Sequence, residues 1–329
     1  ISDAVCERAF ATSMRGFYYQ RGGVELEIPW MDFTRPANFS AEGGKTAFVS
    51  KARAQPYTVE ETRIDNHVIR NQKEAFEKLP EYGTDEVVTP IGGGYFDAGD
   101  WDRRSPHLIV TYRLLSMYEL DPEHFGNLRW GIGSEDDVLP EILQEAHWGP
   151  QLFKALQLEN GGIPYWLESE AHPKKGEASW TDSLELYRTQ PDAVSSYLYA
   201  ATALKLARAL EPYLPEEAAD WEASAMRAMD FADEEWAKIP AGHKKMRELE
   251  DMRHLAALEA WLSTGDEVWH ERVKASAVYQ DPDTPLRKWF HQREGGERDQ
   301  LDAAFLYATQ TLREPDPVLR ESAKQSILN

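Results

Sequence analysis

The stretch Gly94-Tyr-Phe-Asp-Ala-Gly-Asp-Trp-Asp-Arg-Arg104 places Asp97, Asp100 and Asp102 within six positions and sets two arginines directly behind them. An aspartate pair held on a tight turn can grip a water molecule and take a proton from it. The same residues also suit a polar loop, turned by Gly92, Gly93, Gly94 and Gly99 and ending in an aspartate that caps the next helix. Choosing between these readings requires the elements that would carry the loop.

The surrounding chain is acidic and aromatic-rich. Its 36 basic and 57 acidic side chains give a net charge of −21, spread along the sequence, which argues against nucleic acid or an anionic membrane as partner. The lone cysteine, Cys6, excludes an internal disulfide framework and a cysteine-based zinc site. No apolar run reaches the roughly 18 residues of a membrane span, and Ile1 does not open a signal-peptide pattern. These features describe a soluble protein whose compartment the sequence leaves open. Eleven Trp, 14 Tyr and 12 Phe exceed the needs of an ordinary helical core, and several lie outside periodic segments, where flat rings either stack on sugar faces or pack.

Helical periodicity dominates and strand alternation is scarce. The pattern predicts a first helix from Ser2 to about Tyr19 with Val5, Ala9 and Met14 near one face, then an irregular region from Gly22 to about Gly99. Helices are expected at about 104–118, 139–157, 193–210, 215–237, 244–262, 266–278, 298–311 and 317–327, most joined by short turns. Asp136-Asp137 before Pro140 and Glu141 reads as an acidic start to the 139–157 helix, whose apolar face is Ile142, Ala146, Gly149, Phe153 and Leu156, and which Pro150 should bend. Pro191-Asp192 opens an alanine-rich helix suited to close packing. Helices returning through short turns define an all-α domain of helical hairpins.

Four stretches in order resemble glycoside hydrolase family 9, the inverting β-glycosidases that include many cellulases. They are Arg15-Gly-Phe-Tyr-Tyr-Gln-Arg-Gly-Gly-Val24, Gly94-Tyr-Phe-Asp-Ala-Gly-Asp100, Asp137-Val-Leu-Pro-Glu-Ile-Leu-Gln-Glu-Ala-His-Trp-Gly149, and Leu156-Gln157 through Gly161-Gly-Ile-Pro-Tyr165. The resemblance implies an (α/α)6 toroid and cleavage of β-1,4-glucosidic bonds in cellulose-type poly- or oligosaccharides with inversion. It makes Asp100 the general base and Asp97 a second holder of the same water. Gly99 lets the backbone turn so that both carboxylates face that water. An inverting enzyme also needs an acid, about 6.5–9.5 Å from the base.

The tail Trp101-Asp102-Arg103-Arg104, with His107 beyond it, departs from many family cellulases and looks closer to a bacterial branch that includes exo-acting enzymes on cello- and chito-oligosaccharides. The resemblance thus names Trp101, Asp102 and His107 as substrate-binding candidates, with an exo-β-glucosaminidase as the alternative enzyme. Asp102 could bind a sugar amine or pair with Arg103 or Arg104. No stretch matches the family's late glutamate acid, and Glu168, Glu170, Glu177 and Glu185 do not fit its motif. The expectation is a single, incomplete catalytic domain over residues 1–329, truncated at its C-terminal end, with the final helices and a small N-terminal β-sandwich outside the chain. A non-catalytic carbohydrate-binding protein is the reading from another class.

Elsewhere, Trp166, His172, Trp180 and Tyr187 could wall one end of a cleft, or belong to a surface excursion. His243, His254, His270 and His291 lack metal-ligand spacing. Calcium occurs in some relatives, but residues 135–137 read better as a helix start, so neither a metal site nor an organic cofactor is expected. The expected partner is a β-linked oligo- or polysaccharide. The resemblance implies a secreted or periplasmic protein, with a cytoplasmic one open.

Overall fold

The computed structural model describes residues 3–26, 34–37, 47–53, 63–64, 67–70, 72–88, 93–96, 103–133, 137–240, 246–286 and 298–329. Helix α1 spans Asp3–Tyr19, followed by β1 (Ala47–Ser50), β2 (Arg63–Ile64), β3 (His67–Val68), α2 (Gln72–Glu77), β4 (Gly83–Val88) and β5 (Arg103–Arg104). Next come α3 (Leu108–Leu120), α4 (Pro122–Asn127), α5 (Glu141–Ala155), β6 (Trp166–Glu168) and β7 (Leu186–Arg188). The rest is helical: α6 (Ala193–Leu210), α7 (Pro215–Lys238), α8 (Met246–Thr264), α9 (Glu267–Ser276), α10 (Leu301–Thr309) and α11 (Pro317–Leu328).

The long helices form two layers. In the inner layer α3, α6, α8 and α10 lie side by side in chain order, while α7, α9 and α11 pack on α6, α8 and α10 as outer arms of hairpins and α5 packs on both α3 and α6. Sequence explains the division. In α6 every residue except Arg208 is buried, which its many alanines permit by letting neighbouring helices approach closely. Helix α7 buries only one stripe, Ala218, Trp221, Ala225, Ala228, Met229 and Ala232, at the three-and-four spacing of an amphipathic outer helix. Asp192 caps α6 by accepting from Ser195 N at 2.9 Å, and Asp266 and Asp316 cap α9 and α11 in the same way.

Helix α5 solves a problem posed by its own sequence. Pro150 lies inside it without an N–H, so the carbonyl of Ala146 lacks its intrahelical donor. The Thr111 hydroxyl of α3 donates to that oxygen at 2.9 Å. The five residues expected on its apolar face are all buried. Its start differs from expectation: the helix begins at Glu141 after Pro140, with no side-chain cap. Asp137 instead accepts from Gln144 Nε2 at 3.2 Å, and Asp136 lies outside the described residues.

The region expected to be irregular holds the largest correction. Strands β1 and β4 from this region join β7, β6 and β5 in a five-stranded sheet of order β4-β1-β7-β6-β5. Only the β1–β7 pair is parallel. The strands run from two to six residues, too short for alternation to register. They gather the early segments onto the connection between α5 and α6, over a small second core of Ile64, Ile69, Leu79, Tyr82, Trp166 and Tyr187. The helix expected from about residue 104 starts at Leu108, because Arg103–Arg104 pairs with β6 and Ser105–His107 makes a 3-10 turn. In α1, Val5 and Ala9 are exposed; the packed face is Phe10, Met14 and Phe17.

Candidate active site

Asp97, Asp100, Trp101 and Asp102 lie outside the described residues. The residues on both sides of them are described, and they fix where the chain enters and leaves this segment.

The entering side is Gly93–Phe96, laid against α5. Gly93 and Gly94 adopt φ of 77° and 75°, the left-handed region that glycine occupies without cost. A Cβ on Gly93 would sit 2.8 Å from Leu152 N and 2.9 Å from Trp148 O, so the approach to the α5 backbone itself also requires glycine. The Gly94 carbonyl accepts from Trp148 Nε1 at 3.1 Å and from Gly22 N at 2.9 Å. Phe96 N donates to Gln20 O at 2.7 Å. Beneath this strand the fully buried Glu145 carboxylate of α5 receives Arg21 through two hydrogen bonds, Nε to Oε1 at 3.1 Å and Nη2 to Oε2 at 3.0 Å. The Tyr95 hydroxyl reaches the same Oε1 at 2.8 Å. Burial, reinforced by the Glu145 charge, pushes the Tyr95 phenol well above its ordinary range, so it stays a donor. Arg21 also lies over the rings of Tyr18 and Trp148, at 4.9 and 4.8 Å.

The leaving side is tied just as firmly. Arg103 and Arg104 pair with Leu167 and Trp166, and Ser105 N donates to Tyr165 O at 2.9 Å. Ser195 donates its hydroxyl to Asp192 Oδ2 at 2.9 Å, which leaves its oxygen to accept from Ser105 at 2.9 Å. This buried chain joins the start of α3 to the start of α6. His107 is half-buried in the turn that opens α3. The two described flanks, residues 93–96 and 103–107, are therefore anchored to α5 and to the starts of α3 and α6.

Of the aromatic residues in the β6–β7 region, Trp166 and Tyr187 belong to the second core and Trp180 is 43 % exposed. Tyr187 donates to Glu185 at 2.6 Å. His254 and His270 are packed. His254 meets Ser276 Oγ at 2.8 Å and Tyr279 OH at 3.1 Å, and His270 meets Glu267 at 3.1 Å and Tyr307 OH at 2.9 Å. His243 and His291 lie outside the described residues. Among the described residues no three His, Cys, Asp or Glu side chains gather as a metal site, and no helix is long and apolar enough to cross a membrane.

Two charged groups went unnoticed in the sequence. At the N-terminal end of the inner layer, buried Asp251 of α8 accepts from Arg298 Nη2 at 2.6 Å, Asp299 N at 2.8 Å and Gln300 Nε2 at 2.9 Å. At the other end, Lys205 and Arg208 of α6 interleave with Glu119 of α3 and Glu259 of α8; Arg208 reaches Glu259 Oε2 at 2.5 Å. Burial raises the Glu119 carboxyl, but Lys205 and Arg208 outweigh it and hold the group below its ordinary value. Glu119, Lys205 and Arg208 border a cavity of about 1040 Å³ that is also lined by residues of α8 and α10. From Ser195 to Arg208 is roughly 20 Å along α6, so this cavity is remote from the Ser105–Ser195 contact.

Three of the four stretches that carried the resemblance meet in this geometry: Arg21 from the first, Gly94 and Tyr95 from the second, Glu145 and Trp148 from the third. The sequence model of glycosyl hydrolase family 9 matches residues 7–318. The chain belongs to this family.

A cellulose 1,4-beta-cellobiosidase of Acetivibrio thermocellus is 23 % identical over 322 residues, covering 89 % of this chain and 34 % of that protein. Among solved structures, a family 9 protein of Bacteroides ovatus superposes with a TM-score of 0.72 at 18 % identity, over 99 % of this chain and 56 % of its own. A metagenome-derived family 9 endoglucanase gives 0.70 at 21 % identity, over 98 % and 53 %. The two-layered helical hairpins are thus those of the family's (α/α)6 fold. The family 9 chain spans about half the length of these structures and about a third of the cellobiosidase.

Proposed function

We propose that this family 9 chain serves hydrolysis of β-1,4-glucosidic bonds in cellulose-type poly- or oligosaccharides with inversion at the anomeric carbon. Asp100 is the general base and Asp97 holds the same water; Trp101, Asp102 and His107 line the sugar site. The observation that carries the reading is the frame around the Asp97–Asp102 segment, whose two flanks are fixed by buried contacts at one end of the inner helix layer. Such anchoring serves a pair of carboxylates that must share one water, because a base works only when its geometry is fixed before the substrate arrives.

In the proposed reaction Asp100 takes a proton from the water as its oxygen attacks the anomeric carbon. The bond to the leaving oxygen breaks as a second carboxyl, the general acid, protonates that oxygen. Water, two carboxyls and sugar suffice for this chemistry, and no cofactor enters it. The names of the cellobiosidase and endoglucanase relatives favour glucose over glucosamine as the sugar unit. A soluble, secreted or periplasmic setting suits such a substrate. The Asp100→Asn variant of the full-length protein tests the assignment. Turnover of cello-oligosaccharide should fall by about 10²–10⁴ while calorimetric affinity for it is unchanged. Retention of more than about a tenth of the turnover would reject Asp100 as the base, since general-base catalysis is worth far more than that.

A further inference from the structure

We propose that Arg21, Glu145 and Tyr95 are positioning residues that clamp the entry to the Asp97–Asp102 segment; this rests on the role given to that segment above. Glu145 is fully buried and 0 % exposed, and Arg21 is 9 % exposed, so none of the charge is available to a substrate. The pair is enclosed in a region where an ion pair is costly to desolvate and a hydrophobic pair would serve stability as well or better. Its geometry indicates what it contributes. The two carboxylate oxygens are divided between three donors, with Arg21 on both and the Tyr95 hydroxyl sharing Oε1. A carboxylate on a core helix thereby fixes two separate backbone segments in one orientation.

The segments it fixes are those that set the loop. Arg21 follows α1 directly and forms a bridge with Tyr95, and Tyr95 stands two residues before Asp97. Flanking contacts remove the remaining freedom. Gly149 of α5 lies so close to Tyr95 that a Cβ there would meet the ring at 2.9 Å, and Phe17 packs on the other side at a ring distance of 6.2 Å. Arg35 donates to the Arg21 carbonyl at 2.7 Å and lies over the Phe96 ring at 5.1 Å. Tyr95 can therefore neither slide along α5 nor rotate away from it without breaking its bond to Glu145. On the far side the β5–β6 pairing supplies a fixed exit.

A tie that serves stability alone and a tie that positions the loop differ in what they move. Tyr95→Phe removes one hydroxyl and keeps the packed ring. The clamp predicts amide exchange at least about 10-fold faster over residues 94–102 only, with the helical layers unchanged. It also predicts kcat on cello-oligosaccharide lower by about 10-fold at constant KM, the signature of a lost geometry and not of a lost substrate contact. Arg21→Lys keeps the charge but loses the two-pronged fork, and should reproduce the same local pattern. Exchange unchanged over 94–102, a uniform rise across the whole chain, or kcat equal to wild type would overturn the clamp. Wild-type turnover in Asp100→Asn would overturn instead the role given to the segment, and the exchange measurement would still decide the clamp.

Discussion

The described residues of 193–328 and those of 20–107 are held in place by different means. In the first region apolar periodicity does the work. Helix α6 is buried on every side, α7 on one stripe, and neighbouring helices share a continuous core. In the second the strands are short, and position is set by a handful of polar side chains reaching to α5 and to the start of α6. A packed helix spreads its stabilisation over many large apolar side chains worth about 1.5–3 kcal/mol each when fully buried, whereas a segment fixed by Glu145 or Ser195 depends on single groups. Regular packing supplies the rigid body, and the polar ties fix the described flanks at 93–96 and 103–107 to it.

The strongest challenge to this contrast comes from within the helical region, which contains its own buried charges. Lys205→Met leaves Glu259, 0 % exposed, with Arg208 as its remaining close cation. Breaking a buried pair in this way should cost about 3–5 kcal/mol, measured by urea denaturation. The loss should lower the protection of α6 and β1 amides together if both regions belong to one cooperative unit. Protection retained in β1 while α6 opens would break the comparison by showing two independent units.

A slightly smaller effect is expected from pH. His254 is buried between α8 and the Ser276–Tyr279 segment, and burial, helped by the Arg298 charge, lowers its pKa from the ordinary 6.5 to about 3. Ser276 Oγ donates to Arg272 O, so it accepts from His254 Nδ1–H, and Nε2 accepts from Tyr279. Between about pH 6.5 and 3 the unfolded chain takes up a proton that the folded chain refuses. Stability is therefore complete above pH 6.5 and falls with acidification, by about 1.4 kcal/mol per pH unit inside the window. Stability measured from pH 6.5 to 5.5, above the carboxylate range, should fall by about 1 kcal/mol in the native chain, since the unfolded imidazole is only half charged at pH 6.5, and this loss should vanish in His254→Gln.

The mildest perturbation sharpens the contrast at the periphery. Asp316 accepts from Val318 N and Leu319 N, both at 2.9 Å, and those backbone bonds hold its carboxyl below the ordinary value. Asp316→Ala should remove this cap, read as a small drop in denaturation midpoint with exchange in β1–β5 unaltered. A large loss would mean that α11 supports more than its own hairpin.

The same contrast explains what could be read from sequence. Periodic apolar residues such as Ile142, Ala146 and Phe153 mark α5 by their spacing alone, and Asp192 marks the start of α6. The ends slipped where local chemistry intervened: Arg103–Arg104 were drawn into a strand, and Pro140 displaced the acidic start expected at Asp137. The sheet escaped notice because its order is set by pairing between distant segments, β1 with β7 across more than a hundred residues, and two- to six-residue strands carry little pattern. Asp97 and Asp100 stand out by type and spacing. Glu145 reads only as part of a helix and Arg21 as part of a resemblance, since nothing local shows that residues 124 positions apart will pair.

Thr111 and Pro150 carry a consequence for how this sequence can change. Because the threonine hydroxyl supplies the donor that proline lacks at the Ala146 carbonyl, the two positions are not free to vary independently. While position 150 is proline, losing the hydroxyl strands a buried acceptor, at about 1–3 kcal/mol. Once position 150 is alanine the helix supplies its own donor and the hydroxyl becomes dispensable. The order of replacement therefore matters: the path through alanine at 150 is open, and the path that begins at 111 runs downhill in stability before it can recover.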